Sequence, residues 1–162
     1  MKALTHINLA SIIFASLFLT PGTSLGIEVG DKAPTFSAES THGAIHLADF
    51  AGKKNVILAL YFAIFTPVWA DEVKDFQRDL EKFKQLDAEV IGVSADSLEE
   101  NIKFAAENGI DFPLVSDTGK SIRKSYGRGR VTYLIDKYGI IRHIQKGAPD
   151  NQAFLNKLEQ LN

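Results

Sequence analysis

The stretch "NVILALYFAIFTPVWADEV", residues 55–73, decides how the chain is to be read. It opens on an unbroken apolar run, Asn55 to Phe62, the mark of a strand buried on both faces. The run stops at Thr66-Pro67. Proline lacks an N–H and suits the first position of a helix, and a preceding threonine is a natural N-cap. Beyond the break, Val73, Phe76, Leu80, Phe83 and Leu86 recur at helical spacing, which predicts a helix over 68–86. A buried strand thus runs through a tight break into an amphipathic helix, with Trp69 in the helix's first turn.

Working outward, "AEVIGVSAD" (88–96) reads as a second buried strand, and Asp96 or Ser97 caps a helix that stops at Gly109. "FPLVSD" is a short strand, "GKSIRKSYG" a small helix, and "VTYLIDKYGIIRHIQKG" a hairpin turning at Tyr138-Gly139. "DNQAFLNKLEQLN" closes the chain as a helix. Upstream, residues 27–54 carry two short strands around a Thr41-His42-Gly43 turn and close on Gly52. Strands alternating with helices imply a parallel sheet, to which the late hairpin adds antiparallel strands. The expectation is an α/β sandwich with helices on both faces.

The first 26 residues read differently. "MKALTH" is a short, weakly positive start; Ile7 to Leu19 is a mostly apolar run of 13 residues; Ser24 and Gly26 supply small residues at a cleavage site. This pattern predicts a signal peptide over 1–26, an exported protein (periplasmic or secreted), and a folded domain over 27–162. The rival reading is an uncleaved N-terminal anchor, although the run is short for a bilayer span. The net charge of -2 gives no basic surface for nucleic acid. With no cysteine, thiolate catalysis, disulfides and Cys-ligated metal sites are all removed. His42 and His46 stand four apart but in a turn and strand, and without a nearby third ligand the sequence predicts neither metal nor cofactor.

The blocks "VGDKAPTF", "NVILALYF", "FTPVWADEV", "VIGVSADSLEENIKFAAENGIDFPLVSD" and "YGRGRVTYLIDKYGIIR" resemble, in order and spacing, the peroxiredoxins of the alkyl hydroperoxide reductase/thiol-specific antioxidant group. The resemblance covers about Val29 to Asn162. It implies a thioredoxin-like sandwich, a mixed central sheet flanked by helices. The family's site resembles P-x-x-x-T-x-x-C followed by Glu, with an Arg from a later strand. Here Phe62 stands at the Pro, Thr66 matches the Thr, Trp69 stands at the peroxidatic Cys, Glu72 matches the Glu and Arg130 matches the Arg. "YFAIFTPVW" is also similar to the F-W-A-x-W-C-P-x-C segment of periplasmic thiol–disulfide oxidoreductases, with Thr66 and Trp69 replacing both cysteines. Those proteins carry a cis-Pro where this chain has Arg130, which favours the peroxiredoxin side.

In the family so resembled, the sulfur ionises at a helix start beside the Arg and attacks peroxide. Indole offers no such nucleophile, so the resemblance implies an antioxidant fold without its enzyme, a pseudoenzyme. Three readings of Trp69 follow: a plug filling the vestigial pocket against Phe62 and Phe65, an aromatic binding platform beside Arg130, or a selenocysteine encoded by UGA in an active peroxidase. Glu72 and Arg130 are expected to form an ion pair. The helix N–H groups, the Thr66 hydroxyl and Arg130 together suggest an anion nest. "GKSIRKSYGRGR" reads as a solvated basic cluster or a modest basic rim. A protein partner and a homodimer stay open.

Overall fold

The computed structural model describes residues 26–63, 66–127 and 129–161. Residues 1–25 of the expected signal peptide (1–26), and Phe65, therefore lie outside the described residues. Seven strands form one sheet: β1 (Ser37–Ser40), β2 (Gly43–His46), β3 (Asn55–Leu60), β4 (Ala88–Ser94), β5 (Leu114–Ser116), β6 (Val131–Ile135) and β7 (Ile141–Lys146). The helices are α1 (Pro67–Gln85), α2 (Leu98–Asn108), α3 (Ser121–Tyr126) and α4 (Asn151–Glu159), and a 3-10 turn over Leu47–Phe50 escapes the sequence reading. The strand order is β2-β1-β5-β4-β3-β6-β7. β3, β4 and β5 run parallel, joined by α1 and α2, while β6 returns antiparallel beside β3 and leads into β7. This is the mixed, helix-flanked sheet that the sequence predicts.

Period-2 alternation sorts the core into two layers. On one face Ile57, Ala59 and Tyr61 of the β3 segment pack with Val73, Phe76, Leu80 and Phe83 of α1, Phe104 of α2 and Phe154 of α4. On the other, Val56, Leu58 and Leu60 meet Leu47 and the α3 residues Ile122 and Tyr126. Both faces of β3 are thereby buried, which is why its sequence is apolar without alternation. The α2 cap is Ser97: its hydroxyl accepts from Glu100 N–H and the Glu100 side chain accepts from Ser97 N–H, a capping box.

Two placements matter for the site. Leu60 pairs with Val131, so the residues just past β3 lie beside those just before β6, bringing Tyr61 next to Arg130. β3 also ends two residues earlier than the apolar run suggests. Tyr61 N–H still donates to Val93 O at 2.7 Å, but the Tyr61 carbonyl accepts from the Arg123 guanidinium instead of a strand partner. A side chain has ended the ladder. Gly92 in β4 gives Tyr61 its room: a Cβ there would stand 3.2 Å from the Tyr61 ring and 2.8 Å from Leu114 Cδ2.

Candidate functional site

At the carboxyl end of β3, α1 begins with Thr66 in extended backbone and Pro67 in its first turn. Thr66 caps through its backbone alone: its carbonyl accepts from Trp69 N–H at 3.1 Å and Ala70 N–H at 3.0 Å. With the Trp69 N–H taken, the Thr66 hydroxyl turns back and donates to Ala63 O at 3.3 Å. Pro67 has no N–H, so residues 67–70 keep at most that of Val68. The expected anion nest at this helix start is corrected accordingly, since its donors are largely spent on the turn itself.

Trp69 is largely but not fully buried. Its ring meets Tyr61 edge-on, centroids 5.9 Å apart at 79°, and the Arg130 guanidinium lies over its face, Cζ 5.1 Å from the centroid. Glu72, one turn along α1 and buried, forms an ion pair with Arg130. The predicted Glu72–Arg130 pair is thus present, and it holds the guanidinium against the indole. Tyr61 is fully buried with no hydrogen-bond partner for its hydroxyl among the described residues. Burial pushes its phenol well above the ordinary range, against the opposing field of Arg130, so it remains protonated.

The expectation that Phe62 buries Trp69 is wrong. Adjacent strand residues point to opposite faces, so Tyr61 turns toward α1 while Phe62 turns toward α3. Phe62 is 59% exposed and stands under two cations, Lys120 Nζ at 5.9 Å and Arg123 Cζ at 5.7 Å from its ring centroid. Trp69 does not fill the site either. A cavity of about 510 Å³ stays open, lined by Phe62, Trp69, Lys120, Arg123, Lys124, Gly129 and Arg130. The pocket beside Trp69 is walled by rings and rimmed by positive charge.

Sequence reasoning overlooked Arg123 and Tyr61. Arg123 is buried; its guanidinium donates to Tyr61 O and to Gly129 O, the latter at 3.4 Å. Burial lowers its pKa, opposed by the Asp117 carboxylate, which accepts from the Ile122 and Arg123 N–H groups. The signal was present in "SIRKSY": Arg123 stands three residues before Tyr126 on the stripe that Ile122 begins, facing the sheet and not solvent. Among the described residues no group of three His, Asp or Glu is arranged to hold a metal.

A sequence profile of the AhpC/TSA family matches residues 29–144. The chain belongs to the AhpC/TSA family, the peroxiredoxins. Among its relatives, the chloroplastic 2-Cys peroxiredoxin BAS1 of Hordeum vulgare is 37% identical over 134 residues, covering 71% of this chain and 64% of the relative. Chloroplastic peroxiredoxin Q of Sedum lineare is 33% identical over 145 residues, covering 79% and 77%. The chain spans about half to two-thirds of the length of its BAS1 relatives, 64% in barley and 51% in Spinacia oleracea. Among solved structures, a cysteine-to-serine mutant of Xylella fastidiosa PrxQ superposes with a TM-score of 0.78 at 26% identity, covering 85% of this chain and 99% of that one. Peroxidoxin BcpB of Mycobacterium tuberculosis gives a TM-score of 0.78 at 23% identity, covering 84% and 99%, a likeness of fold.

Proposed function

We propose that this peroxiredoxin-family chain is an exported protein without thiol peroxidase activity, acting through binding at its altered site. The observation that carries the reading is Trp69, an indole lodged between Tyr61 and Arg130 where the family pattern places the sulfur. Peroxide reduction by this family needs a thiolate that donates an electron pair to a peroxide oxygen, forms S–O and expels hydroxide or alkoxide. The nitrogen lone pair of indole belongs to its aromatic system, and the chain holds no cysteine to stand in. What remains is a cationic, ring-lined cavity suited to holding a ligand. Export rests on the composition of residues 1–26, and assembly with itself or a protein partner is a further outlet for the same domain.

The test is consumption of hydrogen peroxide and of an organic hydroperoxide with dithiothreitol as reductant. The reading expects rates equal to the protein-free control. Thiol-dependent turnover would overturn it and turn attention to the codon at position 69, where UGA specifying selenocysteine is the active alternative and UGG excludes it.

A further inference from the structure

We propose that the cavity beside Trp69 takes a small organic anion with a flat, apolar body, an aromatic carboxylate being the simplest member of the class. The proposal rests on reading this site as a binding site. Its first support is charge. Lys120, Arg123, Lys124 and Arg130 line the cavity and, among the described residues, no acid does, in a chain whose net charge is -2. Arg130 is offset by Glu72, and Arg123 by the field of Asp117. Lys120 and Lys124 enter no ion pair among the described residues and are exposed. The uncompensated charge of the cavity therefore sits at one rim, on two lysines.

The second support is the apolar part. Phe62 and Trp69 present ring surface to the same cavity, and Phe62 keeps 59% of its surface exposed. An inorganic anion would leave that surface in water, whereas a flat apolar body would cover it. A volume of about 510 Å³ suits a ligand of one or two rings. The third support is rigidity. Arg123 is pinned to Tyr61 O and Gly129 O, and Arg130 to Glu72, so the walls are in place before anything binds. The geometry gives the orientation: ring against Phe62 and Trp69, carboxylate toward Lys120 and Lys124.

The experiment titrates the chain with 2-naphthoate and its uncharged counterpart 2-naphthalenemethanol, followed by the indole N–H resonance of Trp69, the sole tryptophan. Naphthoate should shift that resonance and bind about tenfold more tightly than the alcohol, the weight of one charge-assisted hydrogen bond. The double variant Lys120→Asn, Lys124→Gln should cost naphthoate about tenfold and leave the alcohol unchanged. Asn tolerates the left-handed backbone at residue 120 (φ 56°), and an unchanged melting temperature confirms that the exposed lysines do not hold the fold. Equal binding of acid and alcohol, insensitive to the double variant, overturns the anion class while leaving a binding site. No shift with either compound overturns both the class and the binding reading beneath it.

Discussion

Replacing Trp69 by alanine measures how much of the altered site is structure. A fully buried Trp→Ala change costs about 3–5 kcal/mol. Trp69 is largely but not fully buried, so the transfer and cavity terms fall to roughly two-thirds or more of that, about 2–4 kcal/mol. Its edge contact with Tyr61 adds about 0.5–1.5 kcal/mol, and the stacked Arg130 about 0.5–1 kcal/mol, partly counted already in the buried area. The expected loss is about 2.5–4.5 kcal/mol, a fall of roughly 8–20 °C in melting temperature for a domain of this size. Circular dichroism melts read it, and Trp69→Phe, which retains a ring against Tyr61, should lose less than half as much. The wild-type emission should be intermediate, quenched better by iodide than by caesium because of the cationic rim, with the difference fading at high salt. A loss below about 0.5 kcal/mol would show that the indole contributes nothing to the core. A loss above about 5 kcal/mol would restore the plug that the open cavity argues against.

Trp69→Cys should give at most slow peroxide turnover with dithiothreitol, since Phe62 replaces the loop-shaping Pro and no resolving cysteine follows; rates matching an active relative would refute this. Gly92→Ala should cost about 1–3 kcal/mol by urea titration, because the new methyl meets Leu114 Cδ2 at 2.8 Å and the Tyr61 ring at 3.2 Å. Burial and the Lys157 charge hold the His143 pKa below 6.5, so the unfolded chain binds more protons in that window and stability falls as pH drops from 6.5 through the folded value. His143→Gln should lose less stability than wild type between pH 6.5 and 5; Asp79, whose lowered pKa starts from 3.8, acts only at more acid pH. If the export proposal holds, N-terminal sequencing of the protein recovered outside the cytoplasm should begin near Ile27, and a full-length chain in the membrane fraction would favour the anchor.

Much of the fold is legible because its signals are local. The run Asn55–Leu60 is apolar on both faces, Ser97 and Glu100 are spaced as a capping box, and Gly109 ends α2 in left-handed backbone at φ 61°. The site was legible as positions and misleading as geometry. Trp69, Glu72 and Arg130 come together because Leu60 is registered against Val131, and only the family resemblance, not spacing, pointed to that meeting. What Trp69 packs against was not legible. Tyr61 and Phe62 are neighbours of similar size, and only the direction in which the strand enters the sheet decides which ring the indole meets. The anion nest failed on a count of donors: with proline at the first position, one carbonyl absorbs the N–H groups of Trp69 and Ala70.

The consequence of losing a thiolate is electrostatic as well as chemical. In the family pattern the sulfur anion is the charge that the Arg guanidinium stabilises. A neutral indole at that point leaves the guanidinium with the carboxylate of Glu72, which the pattern already carries, and with the π-face of Trp69 in place of the sulfur, and Arg130 takes both. The central cation is therefore satisfied, and among the described residues the unmet charge of the cavity lies on Lys120 and Lys124. Phe62, where the pattern has a smaller ring fixed in the chain, supplies a broad apolar wall at the same rim. The scaffold beneath has holds of its own that need no sulfur: Tyr61 is fixed by Val93 O, Arg123 and the space at Gly92. A site can do without a sulfur nucleophile and still have firm walls when those walls are held from behind, and here they enclose a charged cleft.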